Sequence, residues 1–365
     1  FIARHYNRTM TFRSGICYTR HPMRRSAVLF LLASLSFTAC AIIPVSMPSP
    51  KPSPPAAATA KRAQVLMGTM VEITAVAPNE ILAQAALTAG FHEIRRIEAL
   101  ISTWIETSDL SRVNRAAGVE PVGVSDETFY LLTKALEVAD YTEGGFNIAI
   151  GPGVRLWNIP EAPRIPSGME LEIAAQYVDY RRIHLDASSR SVFLEKPGMR
   201  IDVGGIGKGF AAEKAAAVMR EVGASGGVVA VSGDLRIFGK QADGTRWPIY
   251  IEHPRQPGKF LAVLETTDEA ISTAGDYKRF FIKDGVRYHH ILDPRTLQPA
   301  RLCQSVTVVA PDGTLADGLD TGVFVMGPMK GMALIERLGF GAVIVDAEGV
   351  VTVSSTLRNR VRLNP

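Results

Sequence analysis

Ile201-Asp202-Val203-Gly204-Gly205-Ile206-Gly207-Lys208-Gly209-Phe210-Ala211-Ala212-Glu213-Lys214 is the stretch on which the reading of this chain turns. An apolar run ends on an acidic residue, four glycines follow at close spacing, and an alanine-rich run of helical character begins beside a lysine. Glycine lets the backbone turn with positive φ and approach a ligand closely. A helix start presents unpaired N–H groups in a field that favours anions. Strand end, glycine turn and helix, in that order, describe a connection fit to hold a phosphate-bearing molecule. Two familiar phosphate loops are excluded. Lys208 is followed by Gly209 rather than Ser or Thr, and the G-G-x-G-x-G spacing departs from the dinucleotide fingerprint. A ligand-free strand-to-helix connection would use the same residues, and this stretch alone does not separate the two.

Toward the N-terminus the 365-residue chain changes character. The residues before Met23 read as a fragment or an over-extended frame. From there, Met23-Arg24-Arg25 is a basic start and Ala27 to Phe37 a short apolar run. Phe37-Thr38-Ala39-Cys40 resembles a lipoprotein cleavage box, with Phe37 where Leu is commoner. The run is too short to span a bilayer stably. The expectation is export to the periplasmic face of a bacterial membrane, with a lipid anchor at Cys40. An ordinary cleaved signal that happens to contain a cysteine is the alternative. Pro50, Pro52, Pro54 and Pro55 then keep a Pro/Ser/Ala-rich segment extended. The organisation expected is an upstream extension and signal peptide over 1–40, a tether over 41–60, and one folded domain over 61–365. That domain, about 300 residues, is long enough to bury a large core.

Composition removes several function classes. The net charge of +4 owes much to arginines before Cys40, and the body has no dense Lys/Arg block interleaved with aromatics, so nucleic acid is not an expected partner. Of three cysteines, only Cys303 lies in the body, which rules out a disulfide framework. Cys303 has no basic neighbour arranged to activate it as a nucleophile.

Periodicity predicts strands at 67–77, 182–185, 191–195, 227–232, 247–252, 261–266 and 305–309. Helices are predicted at 80–102, 126–141, 209–222, 319–326 and 329–338, and a closing hairpin pairs 342–346 with 350–354. The polar stretch 104–117 reads as loop and short turn, and Gly151-Pro152-Gly153 as a break. Strand pairs with several helices make an α+β domain, with mixed sheets and flanking helices.

Two further segments could carry chemistry. In Ala316-Asp317-Gly318-Leu319-Asp320-Thr321-Gly322, a helix puts Asp317 and Thr321 on one face with Asp320 one turn from Asp317. Hard oxygen donors grouped in this way suit Mg²⁺, but from the spacing alone Asp317 as a helix cap, with Thr321 bonding back to the main chain, is the preferred reading. In His289-His290-Ile291-Leu292-Asp293-Pro294-Arg295, adjacent histidines on a strand point to opposite faces, so one at most can serve as a base. Trp104, just past a helix, could stack on a planar ring or belong to the core.

Taken together, these segments resemble the ApbE family of flavin transferases over nearly the whole body. The markers are Met67-Gly68-Thr69, Ser102-Thr103-Trp104, Gly144-Gly145-Phe146-Asn147 leading to Gly151-Pro152 and Leu156-Trp157, and Asp202 through Gly209. They continue with Ser232-Gly233-Asp234, Ser272-Thr273-Ala274-Gly275-Asp276-Tyr277, His290 through Arg295, and Asp317 to Thr321. The resemblance implies a T-fold-like single large domain and Mg²⁺-dependent transfer of FMN from FAD to a Thr or Ser hydroxyl of an acceptor protein, releasing AMP. Relatives that hydrolyse FAD to FMN and AMP leave a pyrophosphatase as the alternative, and a non-enzymatic exported flavin-binding lipoprotein as a further one. By position, the resemblance implies FAD contacts from Met67, Trp104, Gly145, Phe146, Asn147, Asp202, Lys208 and Ile291. It implies Mg²⁺ ligation by the Gly205 carbonyl, Asp317, Asp320 and Thr321, and His290 as base. Two departures stand out. Asn147 replaces a usual Asp, and Gly318 and Gly322 replace usual alanines, which is expected to loosen their helix by up to about 1 kcal/mol each.

Overall fold

Met67 and Gly68 take left-handed backbone angles, φ 51° and 65°, as a two-residue turn between right-twisted strands requires. They join β1 (Ala58–Leu66) to β2 (Thr69–Ala77). The strand expected from Met67 therefore begins at Thr69. β1 starts within the stretch expected to be tether, its alternation hidden by Lys61, Arg62 and Gln64. The structure, a computed structural model, describes residues 57–364 except residue 160. The expected signal segment, Cys40 and residues 41–56 lie outside the described residues.

α1 (Glu80–Ile101) is capped by Asn79 and buries Phe91, Ile94 and Ile97. The expected loop after it contains α2 (Asp109–Arg115), because Ser108 accepts a hydrogen bond from the Ser111 N–H at 3.0 Å and starts a helix within a polar stretch. β3 (Val122–Gly123) and α3 (Asp126–Tyr141) follow. Gly151-Pro152 opens α4 (Gly151–Trp157) instead of breaking the chain, since a proline in the first helical turn gives up an N–H that has no partner there. Next come α5 (Gly168–Ala175), β4 (Ile183–Asp186) and β5 (Ser191–Leu194), then the glycine loop and α6 (Gly207–Glu221). The second half runs through β6 (Gly226–Val231), β7 (Asp234–Gly239), β8 (Trp247–Glu252), β9 (Phe260–Thr266), β10 (Ala270–Gly275), β11 (Phe280–Lys283), β12 (Val286–His289) and β13 (Cys303–Ala310). It ends with α7 (Gly313–Met326), α8 (Pro328–Leu338), β14 (Gly341–Asp346), β15 (Val351–Val353) and β16 (Val361–Leu363).

The α+β class is as expected, but the sheets are not mixed: every strand pairing among the described residues is antiparallel. Eight strands form one sheet in the order β1-β2-β6-β7-β10-β13-β14-β15. One face packs on helices α1, α6 and α7 through Ile73, Val229, Ile94, Phe210 and Phe324, all buried. The other face is covered by the β16-β9-β8 sheet, whose Ile251 and Leu264 meet Ile237, Ile271 and Val343 in a second core. This order places the start of β7 beside β10, under α7.

Gly322 is not a weakness of α7. A Cβ there would fall 2.4 Å from the Thr142 methyl and 3.2 Å from Phe146 Cβ, so Thr142 already fills the space an alanine would claim. Gly322→Ala is expected to destabilise the fold by about 1–3 kcal/mol through overpacking. Thr142→Ser removes the methyl and keeps the hydroxyl that accepts from the Phe146 N–H. Adding it should recover most of the loss in denaturant titrations; no recovery would refute the clash.

Candidate active site

Asn114, on α2, holds the chain before the glycine loop as a neighbouring strand would. Its side chain donates to the Ile201 carbonyl at 3.0 Å and accepts from the Ile201 N–H at 2.7 Å. Asp202 then closes an Asx turn by accepting the Gly204 N–H at 2.8 Å. Its carboxyl sits above its usual pKa because it is desolvated. The glycine at 209 answers a close approach: a Cβ would lie 2.1 Å from the Gly313 carbonyl oxygen, where α6 crosses α7. That contact brings the Gly209 N–H to Asp317 Oδ2 at 2.8 Å. No side chain caps α6, so the anion its N-terminus addresses in this structure is a carboxylate from α7.

Asp317 belongs to a cluster. It was weighed as a cap, but Asp312 caps α7 and Asp317 lies inside the helix, which begins earlier than expected. One carboxylate oxygen from each of Asp234, Asp317 and Asp320 lies within 4.8 Å of the others, and all three residues are buried. The Lys208 ammonium bonds to Asp234 Oδ2 and stands 3.5 Å from Asp317 Oδ1. Ser272 Oγ is within bonding distance of Asp234 Oδ1 and, at 2.6 Å, of Asp320 Oδ2. One hydroxyl hydrogen cannot serve both carboxylates, and one ammonium does not balance three buried anions. Burial, then their mutual repulsion, lifts the pKa of Asp317 and Asp320. These hard oxygens fit a divalent cation such as Mg²⁺. Thr321 Oγ1 lies 3.1 Å from Asp320 Oδ1, and a Cβ on Gly205 would lie 3.1 Å from the same hydroxyl. Gly205, Asp317, Asp320 and Thr321 therefore lie close to one another. Asp234 and Ser272 complete the cluster and were not recognisable as site residues. Their motifs stood in the sequence, but only the adjacency of β7 and β10 joins them to α7.

The two histidines diverge. His289 is buried, with Nε2 bonded to the Ala300 carbonyl at 2.8 Å and Nδ1 accepting the Ile291 N–H at 3.3 Å, so both nitrogens are engaged in holding the fold. Desolvation pushes it down to about 4. His290 is half-buried, its Nδ1 3.2 Å from the Arg279 carbonyl. A carbonyl only accepts, so that contact puts the proton on Nδ1 and leaves Nε2 as the basic nitrogen. Burial, then the Arg279 cation, lowers His290 to about 3.

The remaining expected residues surround the loop. Met67 donates its N–H to Glu98 Oε1 at 2.9 Å, near the C-terminal end of α1. The same end meets the start of α6, where Ile101 Cδ1 lies 3.0 Å from a Cβ position on Gly207. Trp104, three residues further, is 80% exposed and so is not core. The Phe146 ring comes 3.4 Å from a Cβ position on Gly205, and a Cβ on Gly145 would fall 3.0 Å from the Gly322 carbonyl oxygen. Asn147 caps a short 3₁₀ turn by accepting the Ala149 N–H at 2.9 Å, a task an aspartate would perform equally. Ile291 is buried beside His289. Cys303 is buried and its thiol is pushed up to about 12, so it is no nucleophile.

The sequence profile of the ApbE family matches residues 67–344. An FAD:protein FMN transferase of Treponema pallidum is 33% identical over 320 residues, covering 83% of this chain and 88% of that relative. One from Escherichia coli K12 is 31% identical over 259 residues, covering 69% and 74%. Among solved structures, the ApbE protein of Thermotoga maritima matches with a TM-score of 0.79 at 33% identity, over 84% of this chain and 100% of its own. The flavin transferase ApbE of Vibrio cholerae matches with a TM-score of 0.75 at 28% identity, over 83% and 99%.

Burial of His289 has a pH signature. Its folded pKa of about 4 lies below the ordinary 6.5, so between those values the unfolded chain binds a proton that the folded chain does not. Stability from this group is full above the upper value and falls with pH down to the lower one, by about 3 kcal/mol. Urea titrations across that window should show a shallower pH slope for His289→Gln than for the unaltered protein. An identical slope would contradict the assignment.

Proposed function

We propose, for a chain that belongs to the ApbE family and is an FAD:protein FMN transferase, that the acidic cluster, the glycine loop and His290 together carry the transfer of FMN to a Thr or Ser hydroxyl, with release of AMP. The observation that carries this reading is the meeting of α6 and α7, where the Gly209 N–H and the Lys208 ammonium converge on Asp317. A diphosphate presented there would face an ammonium and the amide-rich start of a helix, both suited to its charge.

The acceptor hydroxyl attacks the phosphorus on the FMN side, the bond to AMP breaks, and a phosphoester joins FMN to the acceptor. His290 Nε2 receives the hydroxyl proton. Its low proton affinity keeps it neutral at ordinary pH, and the negative diphosphate beside it raises that affinity when substrate is bound. Asp317, Asp320, Thr321 and the Gly205 carbonyl would hold Mg²⁺, which supplies neutralisation of the charge that builds on the phosphate oxygens. Met67, Trp104, Gly145, Phe146, Asn147, Asp202 and Ile291 would wall the FAD site, with the exposed Trp104 indole offering a face for a planar ring. Asn147 keeps its capping role and brings an amide, not a charge, to the ligand. No helix among the described residues is long and apolar enough to cross a membrane. The basic start at Met23, the short apolar run and Cys40 support an exported, lipid-anchored enzyme that meets its acceptor on the periplasmic face.

Asp317→Ala should abolish Mg²⁺-dependent transfer and leave the circular dichroism spectrum unchanged; undiminished turnover would refute the metal assignment. His290→Gln should slow transfer by about 10²–10⁴-fold with FAD affinity little altered. Mass spectrometry of the products should find AMP and an acceptor heavier by FMN less one water, and FMN released free would instead indicate hydrolysis.

A further inference from the structure

A groove of about 330 Å³ lies between α4 and α5, lined by Arg155, Leu156, Ile173, Ala174, Tyr177 and Arg200 among others. Its two arginines have no carboxylate partner among the described residues. Glu170 also lines it, but that carboxylate is taken by Arg164 at 2.9 Å and by Ser167. Burial, and then the charge of Arg155, hold the Arg200 guanidinium below its usual pKa, and the opposing charge of Asp202 does not offset them. Beside the groove, Met169 and Ile173 stand one turn apart on α5, 73% and 53% exposed, with Ile165 just before the helix also exposed. An apolar strip along a paired cation site is the character of an interaction surface.

The groove is linked to the reaction centre by charge. Arg200 is two residues before Asp202 in the chain, and the two charges interact. Arg279, whose carbonyl orients His290, faces Asp202 as well and has no carboxylate within ion-pair distance among the described residues. Cations thus line the way from α5 to the base.

We propose that the α4–α5 groove docks the acceptor protein, through a segment that carries acidic residues for Arg155 and Arg200 and an apolar residue for the strip formed by Met169 and Ile173. This rests on the transferase reading above and names the surface that selects its protein substrate. A segment held there lies next to Arg200 and Arg279, the cations that act on Asp202 and His290, which is where its hydroxyl must react.

The probes are two fluorescein-labelled peptides, one with a threonine among Asp, Glu and Leu, the other with the acidic residues replaced by Lys. Binding is followed by anisotropy on the full protein with FAD and Mg²⁺ present. The acidic peptide should bind at least about tenfold more tightly than the Lys peptide, and lose that advantage with added salt. The exposed substitutions Arg155→Glu and Ile173→Glu should each remove most of the binding, with FAD affinity by flavin fluorescence unchanged. Equal binding of the two peptides overturns the proposal. A parallel loss of FAD affinity also overturns it, by giving the arginines to the nucleotide. So does a dimer seen by sedimentation that Ile173→Glu dissolves, because the strip would then be covered by a second copy. Peptide binding does not require turnover, so a failure of the transferase chemistry would show separately, as an acceptor of unchanged mass.

Discussion

Three carboxylates buried at one point are the constraint around which this fold is organised. Asp234, Asp317 and Asp320 come from a strand start and a helix interior, and each has almost no solvent contact. Uncompensated, such groups would protonate or unfold their surroundings. The chain answers with an ammonium from Lys208, a hydroxyl from Ser272 and a main-chain N–H from Gly209. All three partners sit on elements the large sheet holds in place. The arrangement remains short of positive charge, which is the property the proposed cation would supply.

Close approach makes the cluster possible. Gly209 and Gly313 each sit where the other helix's main chain would collide with a side chain, a Cβ on Gly313 falling 2.6 Å from the Gly209 oxygen. Remove that intimacy and the Gly209 N–H no longer reaches Asp317. The glycines of the central loop thus divide their labour. Gly204 closes a turn on Asp202, Gly205 lets Thr321 come near, and Gly209 lets two helices touch. None of these three has a positive φ, so the conformational freedom first invoked for the loop is less important than the missing side chain.

Much of this was legible in sequence because the elements carry strong local signals. The long helices read clearly from their apolar stripes, whereas helical spacing alone left Asp317, Asp320 and Thr321 open to a capping reading and only the family resemblance singled them out. The failures have physical causes. β1 was hidden because an edge strand with a solvated face alternates weakly, and α2 because its cap lies in a polar run. α7 was begun too late because its first turn holds Gly313 and Thr314, which are poor helix formers without the Asp312 cap. Asp234 and Ser272 belong to the site only through strand order, a long-range property that no local pattern contains.

The two adjacent histidines show how one sheet edge serves stability and chemistry at once. β12 ends at His289, whose ring turns into the core, engages both its nitrogens with main chain and lies edge-on to Phe324 of α7 at 5.7 Å. Since neighbouring residues on an extended chain face opposite ways, fixing His289 inward fixes His290 outward. The Arg279 carbonyl across the hairpin then sets its tautomer. A defined ring position and a proton on Nδ1 for His290 thus both follow from packing a different residue. α7 carries Asp317 and Asp320 on one face and Phe324 against His289 on another, so the helix that supplies two of the three clustered carboxylates also packs against the strand that ends beside His290. Packing against one helix thus ties the position of that strand to the position of those carboxylates.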